Sequence, residues 1–144
     1  MVTKVQVVID CADPAQLAGF WAEALGYKVQ DPPDGFDSWP AFLTSVGVPE
    51  SEWNSASAVV DPDGAGPRIF LQRVPEPKAG KNRLHLDLNV GGGQAVPIEQ
   101  RKGRLADEVE RLSKLGASLV EKREQRGEFW IVMRDPEGNE FCIQ

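Results

Sequence analysis

The sequence has little histidine and little cysteine. His85 is the one histidine, and Cys11 and Cys142 are the two cysteines. A single histidine excludes metal sites that take two histidines from one chain, such as H-E-x-x-H or the two-histidine facial triad. Two cysteines are too few for a zinc ribbon, so that class of structural metal site is excluded as well.

Positive charge and long apolar runs are also scarce. The chain has 16 Lys and Arg residues against 22 Asp and Glu, a formal net charge of −6, which disfavours nucleic acid or an anionic membrane as a partner. No apolar run reaches the roughly 18 residues of a membrane span, and the N-terminus lacks the apolar segment and cleavage site of a signal peptide. We therefore expect a cytoplasmic protein with both thiols reduced.

The composition that remains is typical of one globular domain. The chain has 144 residues, of which 41% are hydrophobic and 26% charged. A chain of this length buries roughly two thirds of its unfolded surface. It therefore needs no disulfide or metal to fold.

Apolar periodicity predicts two similar halves. In the first half a helix begins at Asp13-Pro14 and ends at Gly26, and a short amphipathic helix near Trp39 follows. In the second half a helix covers residues 104–115. The predicted strands are residues 5–10, 27–29, 57–60 and 68–74, and then residues 82–90, 118–122, 129–134 and 141–144.

The order strand, helix, three strands therefore occurs twice. Residues 61–64 (Asp-Pro-Asp-Gly) and 135–138 (Asp-Pro-Glu-Gly) each precede the last strand of a half. Gln6 on the first strand corresponds to His85 on the fifth. Two βαβββ units can cover each other's apolar faces and leave a cleft between them.

Three segments resemble one known family. They are residues 72–78 (Gln-Arg-Val-Pro-Glu-Pro-Lys), residues 84–88 (Leu-His-Leu-Asp-Leu) and residues 135–142 (Asp-Pro-Glu-Gly-Asn-Glu-Phe-Cys). With the Leu115-Gly116 helix end, they are similar to the glyoxalase-like branch of the vicinal oxygen chelate superfamily. This superfamily includes glyoxalase I, extradiol dioxygenases, fosfomycin-resistance proteins and bleomycin-resistance proteins. The resemblance covers nearly the whole chain.

The resemblance implies an α+β fold within a single domain of residues 1–144. Two tandem βαβββ modules form a curved, half-open mixed β-barrel with helices on the outside. The first module covers about residues 1–78 and the second about residues 81–144. An inserted segment at about residues 34–54 is expected to be a lid over the cleft, a stabilising cover or a dimer contact.

The resemblance also implies positions for metal ligands. In the metal enzymes of the superfamily, four ligands come from the first and last strands of the two modules. Carried over position by position, these are Gln6, His85, Cys142 and either Gln72 or Phe70. The last-strand positions usually hold glutamate, and this chain departs from that pattern at both. One imidazole and two amides are a weak donor set, so we expect no tightly bound catalytic metal, with Zn, Ni, Co, Mn or Fe as the alternative cofactor.

Strand alternation places the polar candidates on one face, with apolar residues such as Leu84 packed against helices on the other. The cleft-face residues are Gln6, Phe70, Gln72, His85, Asp87 and Cys142. His85 is a ligand or an acid–base group, or a packed residue hydrogen-bonded to Gln6 or Asp87. Asp87 is a base or orients the imidazole, or it is a strand carboxylate paired with Arg73. Cys142 is a soft donor or a small buried apolar group.

Aromatic residues are candidates for ligand contacts. Trp130 and Trp39, with Trp53 and Phe36, are expected to line the cleft, where they suit a flat apolar ligand. Core packing is the alternative for each of them.

Three functions are consistent with these residues. The first is a protein similar to the bleomycin-resistance type, which binds a small, partly apolar organic molecule in the cleft without a catalytic metal. The second is a divalent-metal-assisted lyase, isomerase or dioxygenase with Gln6 and His85 as ligands. The third is a structural module with no small-molecule site. The absent glutamates favour the first, with a small molecule as the partner, and the resemblance also allows a homodimer.

Overall fold

The computed structural model describes all 144 residues and divides into two compact units. The first unit is Met1–Pro77 and the second is Lys78–Gln144. Each unit contains one long helix and a four-stranded mixed sheet, and the order strand, helix, three strands occurs in both. The prediction of an α+β fold built from two βαβββ repeats is confirmed.

The first unit carries its sheet in the order β1-β4-β3-β2. Strands β1 and β4 are parallel, and the other neighbours are antiparallel. A short α2 helix and one 3-10 turn at Glu50–Glu52 are inserted between β2 and β3. The elements are β1 Val7–Cys11, α1 Pro14–Leu25, β2 Lys28–Val29, α2 Trp39–Ser45, β3 Ala56–Val60 and β4 Ile69–Arg73.

Helix α1 begins and ends where the sequence predicts. The Asp13 carboxylate accepts a hydrogen bond from the Gln16 N–H at 3.2 Å, and Pro14 occupies the first helical position, where a missing N–H costs nothing. Gly26 ends the helix with φ +68°, a left-handed conformation that glycine adopts without steric cost. The buried face of α1, which includes Leu17 and Trp21, packs on β3 and β4.

The second unit repeats this arrangement with the sheet order β5-β8-β7-β6. Strands β5 and β8 are parallel, and the other neighbours are antiparallel. Helix α3 packs on β6 and β7 through the fully buried Leu105 and Leu112. The elements are β5 Asp87–Leu88, α3 Ile98–Lys114, β6 Ser118–Gln125, β7 Glu128–Arg134 and β8 Glu140–Ile143.

The strand predicted over residues 82–90 is much shorter in the structure. Only Asp87 and Leu88 are strand residues, and Leu84 is 89% exposed. The expectation that Leu84 packs against a helix is therefore wrong. Alternation of apolar residues indicates a strand only where a neighbouring strand supplies the hydrogen bonds. Here β8 pairs with the segment only through Cys142 and Ile143, which lie opposite Asp87 and Leu88.

The acidic turn before β8 holds that strand in place. Asp135 is 3% exposed, and its carboxylate accepts hydrogen bonds from the N–H groups of Glu137 and Asn139, both at 2.9 Å. The Asn139 side-chain amide donates to the same carboxylate. These bonds satisfy the turn backbone and fix the start of β8, which carries Cys142.

Neither cysteine forms a disulfide. Cys11 at the end of β1 and Cys142 on β8 are both buried thiols. None of the helices combines the length and the apolar character that crossing a bilayer requires.

Candidate functional site

A cavity of about 690 Å³ lies within the first unit. Its volume is in the range of small-molecule sites, and its wall is largely apolar. The lining residues are Ala15, Val29, Gln30, Trp39, Leu43, Val48, Glu52, Trp53, Asn54, Ser55, Ala56, Ser57, Ala58, Arg68 and Phe70. All of them belong to the unit Met1–Pro77.

The segment between β2 and β3 supplies the two tryptophans of this cavity. Ser38 caps α2 by accepting a hydrogen bond from the Ala41 N–H at 3.2 Å, so Trp39 begins the helix. The indole N–H of Trp39 donates to the Gln30 carbonyl at 2.7 Å, and that of Trp53 donates to the Val48 carbonyl at 3.1 Å. With both N–H groups satisfied by protein, the aromatic surfaces of the two rings are available for a ligand.

Strands β3 and β4 supply the opposite wall. Ala58 pairs with Phe70, and Ala56 pairs with Gln72 in the antiparallel ladder. The small side chains of β3 leave room above the sheet, whereas the half-buried Phe70 adds an aromatic face. This wall is therefore apolar and includes one aromatic ring.

A hydrogen-bonded asparagine joins the cavity rim to helix α1. The Asn54 amide donates to the Asp13 carboxylate at 2.8 Å, and its carbonyl accepts from the Ala15 N–H at 2.9 Å. The hydrogen bond from Asn54, with that from the Gln16 N–H, lowers the pKa of Asp13. The inserted segment is thus anchored to the same helix that packs beneath the sheet.

Arg68 places a cation in the cavity wall. Its Nε donates to the Gln30 side-chain oxygen at 2.7 Å, and its Nη1 donates to the Gln6 side-chain oxygen at 2.9 Å. The guanidinium carbon lies 5.2 Å from the centre of the Phe70 ring, which is a cation–π distance. These three contacts fix the guanidinium at the start of β4.

A second group of polar residues lies in the unit Lys78–Gln144. His85 Nε2 is 3.2 Å from the Asp87 carboxylate, and Asp87 pairs with Cys142 across β5 and β8. One ligand atom from each of the three lies within 4.8 Å of the others. Burial, and then the charge of Asp87, raise the pKa of the Cys142 thiol. Imidazole, carboxylate and sulfur are donor types that a divalent metal such as zinc accepts.

Within the second unit His85, Asp87 and Cys142 lie together, and within the first unit Trp39 and Phe70 line the cavity. The other three candidates have different surroundings. Gln6 precedes β1 and accepts a hydrogen bond from Arg68 of the cavity wall, Gln72 is exposed on β4 opposite Asp10, and Trp130 is half-buried on β7 opposite Arg123.

Strand register settles one position that the resemblance leaves open. Val8 pairs with Phe70 in the first unit, and Asp87 pairs with Cys142 in the second. Given the correspondence of Gln6 with His85, Phe70 is therefore the residue equivalent to Cys142, whereas Gln72 lies two residues further along the strand.

Within the second unit Asp87 lies beside His85, and within the first unit Arg73 binds Glu52 at 3.1 Å. Two further residues at the cavity, Arg68 and Asn54, are not among the sequence-predicted candidates. The signal for Arg68 is present in the sequence, because it precedes Phe70 by two residues on one strand and therefore shares its face.

The metal positions implied by the resemblance do not fit a four-ligand site. Phe70 has no donor atom, and the Gln6 side-chain oxygen accepts a hydrogen bond from the Arg68 cation. A cation held at a ligand atom opposes the binding of a second cation there. His85 and Cys142 retain donor atoms, and with Asp87 they form a three-residue set of a different composition.

Comparison with known proteins identifies relatives of this chain. A family model described as a glyoxalase-like domain matches residues 6–144. A search of curated protein sequences returns no significant match.

Solved structures share the fold at low sequence identity. A glyoxalase/bleomycin resistance protein/dioxygenase family enzyme from Burkholderia phytofirmans is 17% identical, with a TM-score of 0.62 over 96% of this chain and 94% of that one. A fosfomycin resistance protein, FosX, from Listeria monocytogenes, complexed with Mn(II) and 1S,2S-dihydroxypropylphosphonic acid, is 13% identical, with a TM-score of 0.60 over 100% and 90%. FosX from Mesorhizobium loti is 9% identical, with a TM-score of 0.60 over 99% and 91%.

Proposed function

Because the chain belongs to the glyoxalase-like family of the vicinal oxygen chelate superfamily, we propose that it binds a small, partly apolar organic molecule without a tightly bound catalytic metal. The observation that carries the proposal is the cavity of about 690 Å³ lined by Trp39, Trp53 and Phe70. Two indoles and a phenyl ring around one space favour a flat ligand with apolar faces. Members of the superfamily with known ligands act on or sequester small molecules, which agrees with this reading.

The departure from the family's metal ligands supports the metal-free form of the proposal. Phe70 stands where a donor would be needed, and Gln6 is engaged by Arg68. In their place the chain has an aromatic ring and a cation, which are groups that recognise an organic ligand.

Ligand binding can be tested residue by residue through the tryptophan indole N–H signals. We expect 2-naphthoate or 2-naphthamide to shift the ¹H–¹⁵N signals of Trp39 and Trp53 on titration, because both rings line the cavity. Trp21, which is 2% exposed, and Trp130 are not among the lining residues of the cavity, so their signals should stay unchanged. Single Trp→Phe variants assign the four signals.

A cavity-filling variant provides the control for that titration. Ala56 is exposed on β3 and lines the cavity, so Ala56→Trp should abolish the shifts without disturbing the core. Ala106→Leu, on the exposed face of α3, should bind as the wild type does. If neither compound binds the wild type, the proposed function is wrong. It is also wrong if both compounds bind Ala56→Trp as tightly as they bind the wild type.

A second candidate is a divalent-metal-assisted lyase, isomerase or dioxygenase. In this candidate the resemblance implies that Gln6 and His85 are metal ligands. The observation that favours it is the group of His85, Asp87 and Cys142, whose donor atoms lie within 4.8 Å of one another. When bound, a divalent metal would act as a Lewis acid on substrate oxygens.

Thermal denaturation of the metal-stripped protein distinguishes the two candidates. At a hundredfold excess over its dissociation constant, a ligand of the native state stabilises by about 2.7 kcal/mol, which raises the melting temperature by several degrees. We expect Zn, Ni, Co, Mn and Fe(II) to give no such rise at pH 7. A rise with one metal that is absent in His85→Ala would replace the metal-free proposal by the second candidate.

Location and assembly belong to the same proposal. A reducing, cytoplasmic environment is supported by the two cysteines, which are present as thiols. Members of the superfamily pair modules within one chain or between two chains. This supports a homodimer as part of the proposal, with the monomer as its alternative.

A further inference from the structure

Arg68 is the one charged residue of the cavity wall that has no ionic partner within the protein. The cavity is lined by two charged side chains, Arg68 and Glu52. Glu52 is already neutralised, because its carboxylate binds Arg73 at 3.1 Å and accepts a hydrogen bond from the Ser55 hydroxyl at 2.7 Å. Arg68 instead donates to two neutral amide oxygens, those of Gln30 and Gln6.

The contacts of Arg68 orient the guanidinium and leave its charge uncompensated. Nε and Nη1 make the two hydrogen bonds, and no acceptor in the protein takes the N–H groups of Nη2. The Phe70 ring lies against one face of the guanidinium. A guanidinium held in this way keeps its planar donor edge for an oxygen ligand, and it loses little side-chain entropy when that ligand binds.

From this arrangement we propose that the ligand is a flat apolar molecule carrying a carboxylate. The inference rests on the proposed function and adds the chemical class of the ligand. The aromatic body lies among Trp39, Trp53 and Phe70, and the carboxylate accepts charge-assisted hydrogen bonds from Arg68. A cationic ligand would meet an unopposed positive charge, and a neutral ligand would leave that charge partly desolvated without a partner.

Because the protein is negatively charged overall, a preference for an anionic ligand depends on the local cation Arg68. The chain carries a net charge of −6, so its long-range field gives an anion no general attraction. At physiological ionic strength that field is screened beyond about 8 Å. Preference for an anion must therefore come from a group in direct contact with the ligand, and in this cavity that group is Arg68.

The test compares two ligands of similar shape, one of which is an anion and the other neutral. 2-Naphthoate carries a carboxylate, whereas 2-naphthamide has a neutral amide on the same ring system. We expect the wild type to bind the acid about tenfold more tightly than the amide or better, because hydrogen bonds to an ionised partner are roughly twice as strong as neutral ones. The affinities are measured by titration of the Trp39 and Trp53 indole signals.

Variants of Arg68 connect the preference to this residue. Arg68→Gln should remove the preference for the acid, so that the ratio of the acid affinity to the amide affinity falls to about one. Arg68→Lys should retain part of the preference, because it keeps the charge and loses the planar fork. Arg83→Gln, which removes an exposed cation from the second unit, should bind both ligands as the wild type does.

The outcomes separate failure of this inference from failure of the proposed function. Equal affinity of the wild type for acid and amide overturns the carboxylate inference and leaves small-molecule binding in place. An acid preference that persists in Arg68→Gln also overturns it, because the charge would then be recognised elsewhere. Binding of neither ligand overturns both. If Arg68→Gln, and no other variant, loses amide binding, the Arg68→Lys variant decides the question. If Arg68→Lys then shows no preference for the acid, the inference is contradicted.

Discussion

Replacing Glu140 by glutamine is expected to lower the free energy of unfolding by about 3 kcal/mol at pH 7 and by about half as much at pH 3. Glu140 begins β8 and is 7% exposed. Its carboxylate lies 3.2 Å from the Lys78 ammonium and 3.7 Å from Arg134, and it accepts a hydrogen bond from the Asn82 N–H at 3.0 Å. Few side chains in the second unit combine so much burial with so many charged contacts.

The pH dependence follows from the pKa of this group. Burial would raise the pKa of Glu140, but the hydrogen bonds from backbone N–H groups and the ion pair with Lys78 outweigh burial and lower it to about 2. A carboxylate whose pKa is lower in the folded state stabilises the fold above its unfolded pKa of 4.5. That contribution is lost as the pH falls from 4.5 through about 2.

Urea denaturation of the wild type and Glu140→Gln between pH 3 and pH 7 measures the effect. The difference in free energy of unfolding between the two proteins should shrink as the pH falls. Glu110→Gln is the matched control, because Glu110 forms an exposed ion pair with Lys114 on α3, and such pairs contribute little. A difference that stays constant from pH 7 to pH 3 would contradict the role assigned to the Glu140 charge.

The features that the sequence predicts correctly are local ones. The limits of α1 follow from Asp13, Pro14 and Gly26, each of which acts on the backbone within a few residues. The duplicated βαβββ order is also visible, because each strand and helix leaves its own periodicity in the chain. These signals do not depend on which elements pack against each other in the folded chain.

The features that the sequence does not predict depend on distant partners. Leu84 continues an alternating pattern, yet it is exposed because β8 does not extend far enough to pair with it. Arg68 is held by Gln30 and Gln6, which lie 38 and 62 residues away. No spacing rule connects residues so far apart. The two-residue spacing from Phe70 indicates which face Arg68 shares, but the contacts that hold its guanidinium are visible only in the folded chain.

The tryptophans show the same limit, since sequence alone leaves core packing and ligand contact as alternatives for Trp39. Two substitutions separate these roles. Trp21→Ala should lower the free energy of unfolding by about 3–5 kcal/mol, the cost of truncating a large buried side chain. Trp21 is 2% exposed in α1 and contacts the Phe20 ring edge-on at 5.2 Å, so its removal leaves a cavity between the helix and the sheet.

Trp39→Ala should behave in the opposite way, because Trp39 is half-buried and lines the existing cavity. Its removal deletes one indole hydrogen bond and part of the cavity wall, so the loss of stability should be less than about 2 kcal/mol. Affinity for 2-naphthoate should fall about five- to tenfold, since an aromatic ring pair contributes about 0.5–1.5 kcal/mol in addition to the apolar area that it buries. Urea denaturation and ligand titration on both variants measure the two quantities. If Trp39→Ala destabilised the protein as much as Trp21→Ala, Trp39 would be a core residue, and the aromatic wall on which the ligand proposal depends would be structural.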